Sequence, residues 1–147
     1  MVEKLPGVSV KIFFKNFLIL VFCFSGQAIA LELSDSAQIQ ICNSISDVGL
    51  DRIQREALQG NSAAQFDLGR AYYAGCGVEK NARKAFEWFQ KAADQAHLAG
   101  MSSVGFMYYN GWGVIRDRKK GCSTWYKAAE LGSIDAIDAY NRNCNPD

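Results

Sequence analysis

The chain has 147 residues, of which 49% are hydrophobic and 21% charged, a balance typical of globular proteins and not of disordered ones. Sixteen basic and fifteen acidic side chains give a formal net charge of +1, so the general attraction for phosphate that supports nucleic-acid binding is missing. A single histidine, His97, excludes metal sites and catalytic arrangements that need two imidazoles. We therefore expect no nucleic-acid partner, no bound metal and no cofactor.

Residues 1–30 have the pattern of a cleaved secretory signal peptide. Three lysines precede an uncharged apolar run from Phe17 to Phe24, and Ala28-Ile29-Ala30 then places small residues where signal peptidase requires them. The apolar run is far shorter than the ~20 residues of a membrane-spanning helix, which argues against a permanent anchor. We predict cleavage after Ala30, only transient membrane contact during export, and a periplasmic or secreted location for residues 31–147.

Export changes the interpretation of the cysteines. Four of them follow the predicted cleavage point, an even number in a compartment that oxidises thiols: Cys42, Cys76, Cys122 and Cys144. Two disulfides are the expectation. Four cysteines allow three pairings, and their spacing does not choose among them.

Residues 31–59 form a leading segment that ends in a predicted helix, Asp47 to Gln59. Its apolar positions recur at helical spacing, as shown by Val48, Leu50, Ile53, Ala57 and Leu58.

An internal repeat of 36 residues organises the rest of the chain. The same residue types recur at this offset in four pairs, Gly69/Gly105, Gly75/Gly111, Gly77/Gly113 and Val78/Val114. Self-similarity with such a period indicates stacked supersecondary units that cannot bury their apolar faces alone. We divide the chain into repeat 1 at residues 60–95, repeat 2 at 96–131, and a partial third repeat with a C-terminal cap at 132–147.

Each repeat is predicted to be a pair of antiparallel helices. Apolar residues recur at helical spacing on both sides of a glycine-rich turn, and Asn81 and Asp117 stand where each second helix needs an N-cap. Gly69 and Gly105 lie inside the first helices, where glycine costs about 1 kcal/mol relative to alanine. We attribute both to close approach of a neighbouring helix. Six helices are expected: one leading, two pairs and one closing.

The motif resembles the Sel-one-like repeat, a relative of the tetratricopeptide repeat. The resemblance rests on Leu68-Gly69-x-x-Tyr72-x-x-Gly75-x-Gly77-Val78 with Lys91-Ala92-Ala93, and on the second copy Gly105-x-x-Tyr108-x-x-Gly111-x-Gly113-Val114 with Lys127-Ala128-Ala129. It implies an all-α fold, a short right-handed α-solenoid of stacked antiparallel helix pairs. Asn141 stands where a third helix glycine belongs, which suggests that the third unit is only a closing helix.

Stacking of this kind selects a disulfide pairing. The second helix of one repeat packs antiparallel to the first helix of the following repeat, so the start of the former lies beside the end of the latter. Cys122 is at the start of a second helix, and Cys144 follows the closing helix. Cys42 precedes the leading helix, and Cys76 is at the end of the first helix of repeat 1. The same neighbouring of a helix start and a helix end is therefore expected for this pair. We predict Cys42–Cys76 and Cys122–Cys144, each contributing roughly 3 to 4 kcal/mol.

Candidate chemistry is weak. The Gly75-x-Gly77 and Gly111-x-Gly113 segments are predicted to be turns, because no strand precedes them as in phosphate-binding loops. Cys76 has only His97 as a potential base, and no C-x-x-C spacing supports a zinc site. We expect no catalytic residue.

Aromatic and basic residues outside the motif are the candidates for partner binding. In related repeats the first helices line the inner curve, where Tyr, Trp and Arg side chains dominate binding energy when they enter a partner's pocket. The alternative, that these residues only cover the flanking core, is equally compatible with the sequence. The candidates are Arg70, Tyr73, Phe106, Tyr109 and Trp112.

The resemblance implies a non-enzymatic scaffold or adaptor that binds a protein partner in the bacterial periplasm or cell envelope. Some secreted, cysteine-rich repeat proteins of this type have been associated with penicillin binding, so a cell-wall factor resembling a penicillin-binding protein or β-lactamase is the alternative. Residues 31–147 contain neither S-x-x-K nor K-T-G, the motifs of serine acylation.

Overall fold

The computed structural model describes residues 13–14, 17–18 and 28–144. The chain divides into two compact units, residues 1–37 and 38–147. In the first unit, β1 (Phe13–Phe14) pairs antiparallel with β2 (Phe17–Leu18). The rest of the predicted signal peptide up to residue 27 lies outside the described residues.

Seven helices are present in the described part of the chain, where six were expected. They are α1 (Ala28–Val48), α2 (Leu50–Leu58), α3 (Ser62–Ala74), α4 (Ala82–Ala93), α5 (Leu98–Asn110), α6 (Arg118–Glu130) and α7 (Ile134–Asn143). From α2 onward, each helix packs mainly on the helix before it and the helix after it. The all-α solenoid of antiparallel helix pairs is therefore confirmed.

The leading helix differs from the prediction. The structure begins α2 at Leu50, after Gly49 at a φ of 82°, and places a longer helix, α1, before it. The 36-residue motif has no counterpart here, so the sequence carried no periodic signal for this element. Ile45 of α1 is 3% exposed and lies in the same apolar cluster as Ile53 and Leu68, which seals the N-terminal end of the solenoid core.

The repeated glycines act as predicted. A Cβ on Gly69 would lie 2.6 Å from the Phe89 ring, and a Cβ on Gly105 would lie 2.5 Å from Trp125, so only glycine lets these aromatic rings reach the helix backbone. The turn glycines Gly75 and Gly111 have φ values of 81° and 77° and end the first helices in left-handed conformation.

Helix starts are capped in register. Asn81 and Asp117 accept from the backbone N–H three residues later at 3.0 and 2.9 Å. The first helices α3, α5 and α7 use three different cap residues at the same repeat position, Asn61, His97 and Ser133. The residues that close the preceding turns also correspond, and Ala96 holds a φ of 58° where Gly60 and Gly132 have 95° and 91°.

Both predicted disulfides are present. Cys122 of α6 bonds Cys144 at the end of α7, with their Cα atoms 5.6 Å apart. Cys42 bonds Cys76 with a Cα separation of 5.0 Å, but Cys42 lies within α1. The pairing is correct, whereas the first bond joins a helix that the sequence did not predict to the turn after α3.

None of the helices in the described parts of the chain is both long and apolar enough to cross a bilayer.

Candidate functional site

The solenoid carries a groove of about 400 Å³, here called the inner groove. Most of its lining comes from the first helix of each pair and from α1, with one ring each from α4 and α6. The lining residues are Ile41 of α1; Phe66, Arg70 and Tyr73 of α3; Phe89 of α4; Ala99, Ser102, Ser103, Phe106 and Met107 of α5; Trp125 of α6; and Asp135 and Ala139 of α7.

Helical spacing explains why these side chains converge. Phe66, Arg70 and Tyr73 are separated by four and three residues and therefore share one face of α3. Ser102 and Phe106 hold the repeat positions of Phe66 and Arg70 on α5. Two successive first helices thus present the same face to one groove, but with different side chains.

An aromatic trio, Tyr73, Phe106 and Trp112, stands at this groove. The Trp112 ring stacks on Tyr73 with centroids 5.6 Å apart and meets Phe106 edge-on at 5.1 Å. Phe106 is 40% exposed and Trp112 44% exposed. Burial raises the pKa of the Tyr73 phenol above its ordinary value, because the charged form would lose hydration. Contacts with each other hold these rings in place, and large apolar surfaces remain open to solvent.

Arg70 connects the groove to α1. Its guanidinium forms an ion pair with Asp67 at 3.2 Å and donates to the Ser44 hydroxyl of α1 at 3.4 Å. It also lies 5.8 Å from the centroid of Phe66. The Asp67 carboxylate offsets the positive charge, so Arg70 contributes directed N–H donors more than net charge.

Tyr109 lies elsewhere. Its ring is 5.3 Å from the Trp125 ring, and the Arg118 guanidinium lies 5.2 Å from the Tyr109 ring centroid. The side chain therefore packs against α6. Of the five candidate residues, the structure places Arg70, Tyr73 and Phe106 in the groove lining, Trp112 on two of these rings, and Tyr109 on the core side.

The sequence prediction did not include several lining residues. The Phe66 ring lies 5.0 Å from the His97 ring, and the Ser102 hydroxyl is hydrogen-bonded to that of Ser133 at 2.9 Å. The backbone carbonyl of Ser102 accepts from the Trp125 indole at 2.9 Å. A comparison of the two repeats at positions outside the motif could have identified them. Phe66 and Ser102 occupy the same repeat position, so both are expected on the same face of their helices.

The residues considered for chemistry have structural roles. The Cys76 sulfur is bonded to Cys42 and is not a free thiol. The Nδ1 atom of His97 accepts from the Gly100 N–H at 3.2 Å as a helix cap. Across the described residues, no group of three or more His, Cys, Asp or Glu side chains is placed to hold a metal ion.

Comparisons with known proteins agree with this architecture. The Sel1 repeat family model matches residues 62–97 and 98–133. A Sel1 repeat protein from Oxalobacter formigenes has a similar structure, with a TM-score of 0.60 and 33% identity; the match covers 62% of this chain and 26% of that one. This chain thus corresponds to about a quarter of that protein.

Two further structures share the fold at lower identity. Helicobacter pylori cysteine rich protein B matches with a TM-score of 0.60 and 24% identity over 78% of this chain and 99% of its own. The protective antigen c5321 of uropathogenic Escherichia coli matches with a TM-score of 0.62 and 24% identity over 79% of this chain and 28% of its own. No curated protein is significantly similar in sequence. Residues 62–133 of the chain are thus two tandem Sel1 repeats, and they build the central part of the solenoid.

Proposed function

We propose that the protein is an exported scaffold or adaptor that binds a protein partner in the bacterial periplasm or cell envelope through the inner groove. The observation that carries the proposal is the aromatic trio, whose Phe106 and Trp112 rings are 40% and 44% exposed beside an apolar groove. Large aromatic side chains that are fixed before binding lose little conformational entropy when a partner covers them. Sel1 repeat proteins generally act in protein–protein interaction.

The groove has the chemistry of a protein-binding surface. Its lining is mainly apolar, Arg70 supplies N–H donors, Asp135 supplies a carboxylate, and Ser103 adds a hydroxyl group. An interface of this composition takes an apolar or aromatic anchor from the partner and orients it with a few polar contacts. The partner-binding residues that we propose are the five candidates, with Arg70, Tyr73, Phe106 and Trp112 acting directly and Tyr109 supporting them through Trp125.

The proposed location rests on the disulfides and on the predicted signal peptide. Two disulfides in so short a chain fit an oxidising compartment such as the periplasm or the exterior.

Affinity purification from an envelope extract tests the proposal. The bait is the exported protein, compared with Tyr73→Ala/Phe106→Ala, which truncates two rings of the trio. We expect a stoichiometric protein partner to copurify with the unmodified bait and to decrease at least tenfold with the variant. Quantitative mass spectrometry of the eluates measures the ratio.

A matched control separates the groove from general apolar surface. Tyr126→Ala/Ile137→Ala removes two apolar side chains that are 50% and 41% exposed and do not line the groove, and it should retain the partner. Loss of the partner with the control but not with the groove variant would contradict the proposed site. Covalent labelling of the protein by a fluorescent β-lactam would contradict the scaffold function and favour the cell-wall alternative.

A further inference from the structure

Basic residues are concentrated on one edge of the solenoid, formed by the turns that lead into α4 and α6. We call residues 79–84 and 115–120 the basic edge. It holds seven of the thirteen basic side chains in residues 31–147 but only two of the fourteen acidic ones. The remaining 31–147 sequence therefore has an acidic excess, although the whole is nearly neutral. The basic side chains are Lys80, Arg83, Lys84, Arg116, Arg118, Lys119 and Lys120, all exposed.

The two turns touch each other. A Cβ on Gly113 would overlap the backbone carbonyl of Ala82, so the second turn rests directly on the start of α4. Arg83 and Ile115 line one shared surface cavity together with Glu87, whose exposed carboxylate is ion-paired with Arg83 at 3.6 Å. The basic side chains of the two repeats therefore lie on one continuous surface, which stays positive although Glu87 offsets Arg83.

Aromatic rings position several of these cations. Lys84 lies over the ring of Tyr72, with Nζ 5.2 Å from the centroid, and Lys120 lies over Tyr108 at 4.3 Å, the same contact one repeat later. Arg116 donates to the backbone carbonyl of Tyr109 at 3.2 Å. Neutral groups hold the side chains in these contacts, which leaves their positive charge available to an external anion.

Ile115 projects from the middle of this patch and is 89% exposed. The equivalent residue of repeat 1 is Glu79, the side chain expected on a solvated turn. Only the second turn combines an exposed aliphatic side chain with four basic residues in the next five positions.

We propose that the basic edge docks the protein on an anionic phospholipid surface, with Ile115 entering the headgroup region. Each basic side chain near such a surface adds attraction, and an exposed apolar side chain between them adds contact with the upper acyl chains. An acidic protein partner is the less favoured occupant, because the patch offers Ile115 and flexible cations and not the fixed aromatic anchors typical of protein interfaces.

This docking would orient the molecule. The patch lies on the turns between paired helices, whereas the inner groove is lined by the helices themselves. Since residues 31–147 outside the patch carry an acidic excess, an anionic membrane attracts the edge more than the rest of the molecule, and the protein contacts the lipid by its edge. The membrane contact would then outlast export, contrary to the transient contact expected from the signal peptide. The proposal does not depend on the groove being a binding site.

Vesicle cosedimentation tests the proposal. The sample is the exported chain, with its N-terminus identified by mass spectrometry so that every variant is compared with the same chain ends. Vesicles of phosphatidylcholine alone are compared with vesicles that contain phosphatidylglycerol. We expect binding only to the anionic vesicles, and we expect it to weaken strongly as salt is raised, because the charges are exposed and screened.

Two variants and one matched control locate the contact. Arg118→Gln/Lys119→Gln should lower the affinity for anionic vesicles about thirtyfold, and Ile115→Glu at least as much. Lys91→Gln/Lys127→Gln removes the same charge at equivalent positions of α4 and α6, away from the edge, and should change the affinity less than threefold. Thermal melting of each variant confirms that the fold is retained.

Other outcomes overturn the proposal. Absence of binding to anionic vesicles at low salt contradicts it directly. Equal losses in the edge variants and the control would show only a general charge effect. Capture of an acidic protein that the edge variants abolish, without vesicle binding, would assign the basic edge to a protein.

Discussion

Repeat 1 and repeat 2 share their packing framework but differ at several positions that face the groove or the turn surface. Both have a buried glycine against a large ring, a capped second helix and a left-handed glycine at the turn. The same offset of 36 residues, however, pairs Phe66 with Ser102, Arg70 with Phe106, Cys76 with Trp112 and Glu79 with Ile115. The packing requirements are therefore repeated, whereas the side chains at these four positions are specific to each copy.

The two disulfides illustrate the same contrast. In repeat 1, Phe86 and Tyr108 meet edge-on at 5.2 Å and join a second helix to the next first helix. One repeat later the same positions are Cys122 and Cys144, so this bond replaces an aromatic contact of the framework. Cys42–Cys76 has no such equivalent, because it fixes α1, which supplies Ile41 to the groove.

The largest expected effect comes from removing the Cys122–Cys144 disulfide, which replaces an aromatic contact of repeat 1. Cys122→Ala/Cys144→Ala should lower the free energy of unfolding by about 3 kcal/mol, because the closed loop of 22 residues gains entropy in the unfolded chain. Urea denaturation measures the loss. Cys122→Phe/Cys144→Tyr, which copies the aromatic pair of repeat 1, should recover about 1 kcal/mol. If this variant is no more stable than the alanine variant, the two positions are not interchangeable parts of one framework.

Tyr73 and Tyr109 occupy the same repeat position but have different surroundings. Because Tyr109 packs on Trp125, Tyr109→Ala should cost about 2 kcal/mol of stability, and Tyr73→Ala about half as much. The order should reverse for partner binding, which we expect to depend more on Tyr73. Chemical denaturation and affinity measurements on both variants test this. Equal stability losses would contradict the division between core and groove.

The helix glycines should respond alike. Gly69→Ala and Gly105→Ala place a methyl group against Phe89 and Trp125 and should each lose about 1 to 2 kcal/mol, despite the better helix propensity of alanine. Thermal unfolding measures the change, with Ser103→Ala on α5 as a control near zero. A stabilisation of about 1 kcal/mol would mean that the rings move aside freely.

The smallest effect concerns the caps. Asn81→Ala and Asp117→Ala should each cost about 1 kcal/mol, and the two values should agree within a few tenths, because the cap geometry is the same in both copies. Asp117→Asn preserves the acceptor oxygen and should be nearly neutral. Different stability losses for Asn81→Ala and Asp117→Ala would show that the two caps are not energetically equivalent, although their backbone geometry is the same.

The repeated helix framework could be predicted because the same packing requirement recurs in each unit and produces a periodic pattern in the sequence. A mid-helix glycine, a capping Asn or Asp and a turn glycine recur at a fixed offset, and the stacked helices that they imply led to the correct cysteine pairs. The fold class, the crowding at Gly69 and Gly105 and both disulfides therefore agree with the sequence analysis.

The groove was only partly predictable. Side chains that face solvent are free of the repeated packing requirement, so Phe66 and Ser103 carry no motif signal that marks them as groove residues. Nor does the sequence distinguish Tyr73 from Tyr109, whose separate environments depend on what packs beside each copy. The same reason explains why α1, which contributes Ile41 to the groove, was not predicted: its segment has no repeat pattern.

The left-handed residues Gly60, Ala96 and Gly132 mark the start of successive units at identical points of the backbone. Helices α2 to α7 contact chiefly their neighbours in the chain. A segment between two of these residues therefore contains one complete helix pair with its connecting turns. Duplicating one 36-residue segment would thus lengthen the molecule by a whole hairpin without remodelling the others. Addition of whole repeats in this way would give related proteins grooves of different length, connected by the same type of turn.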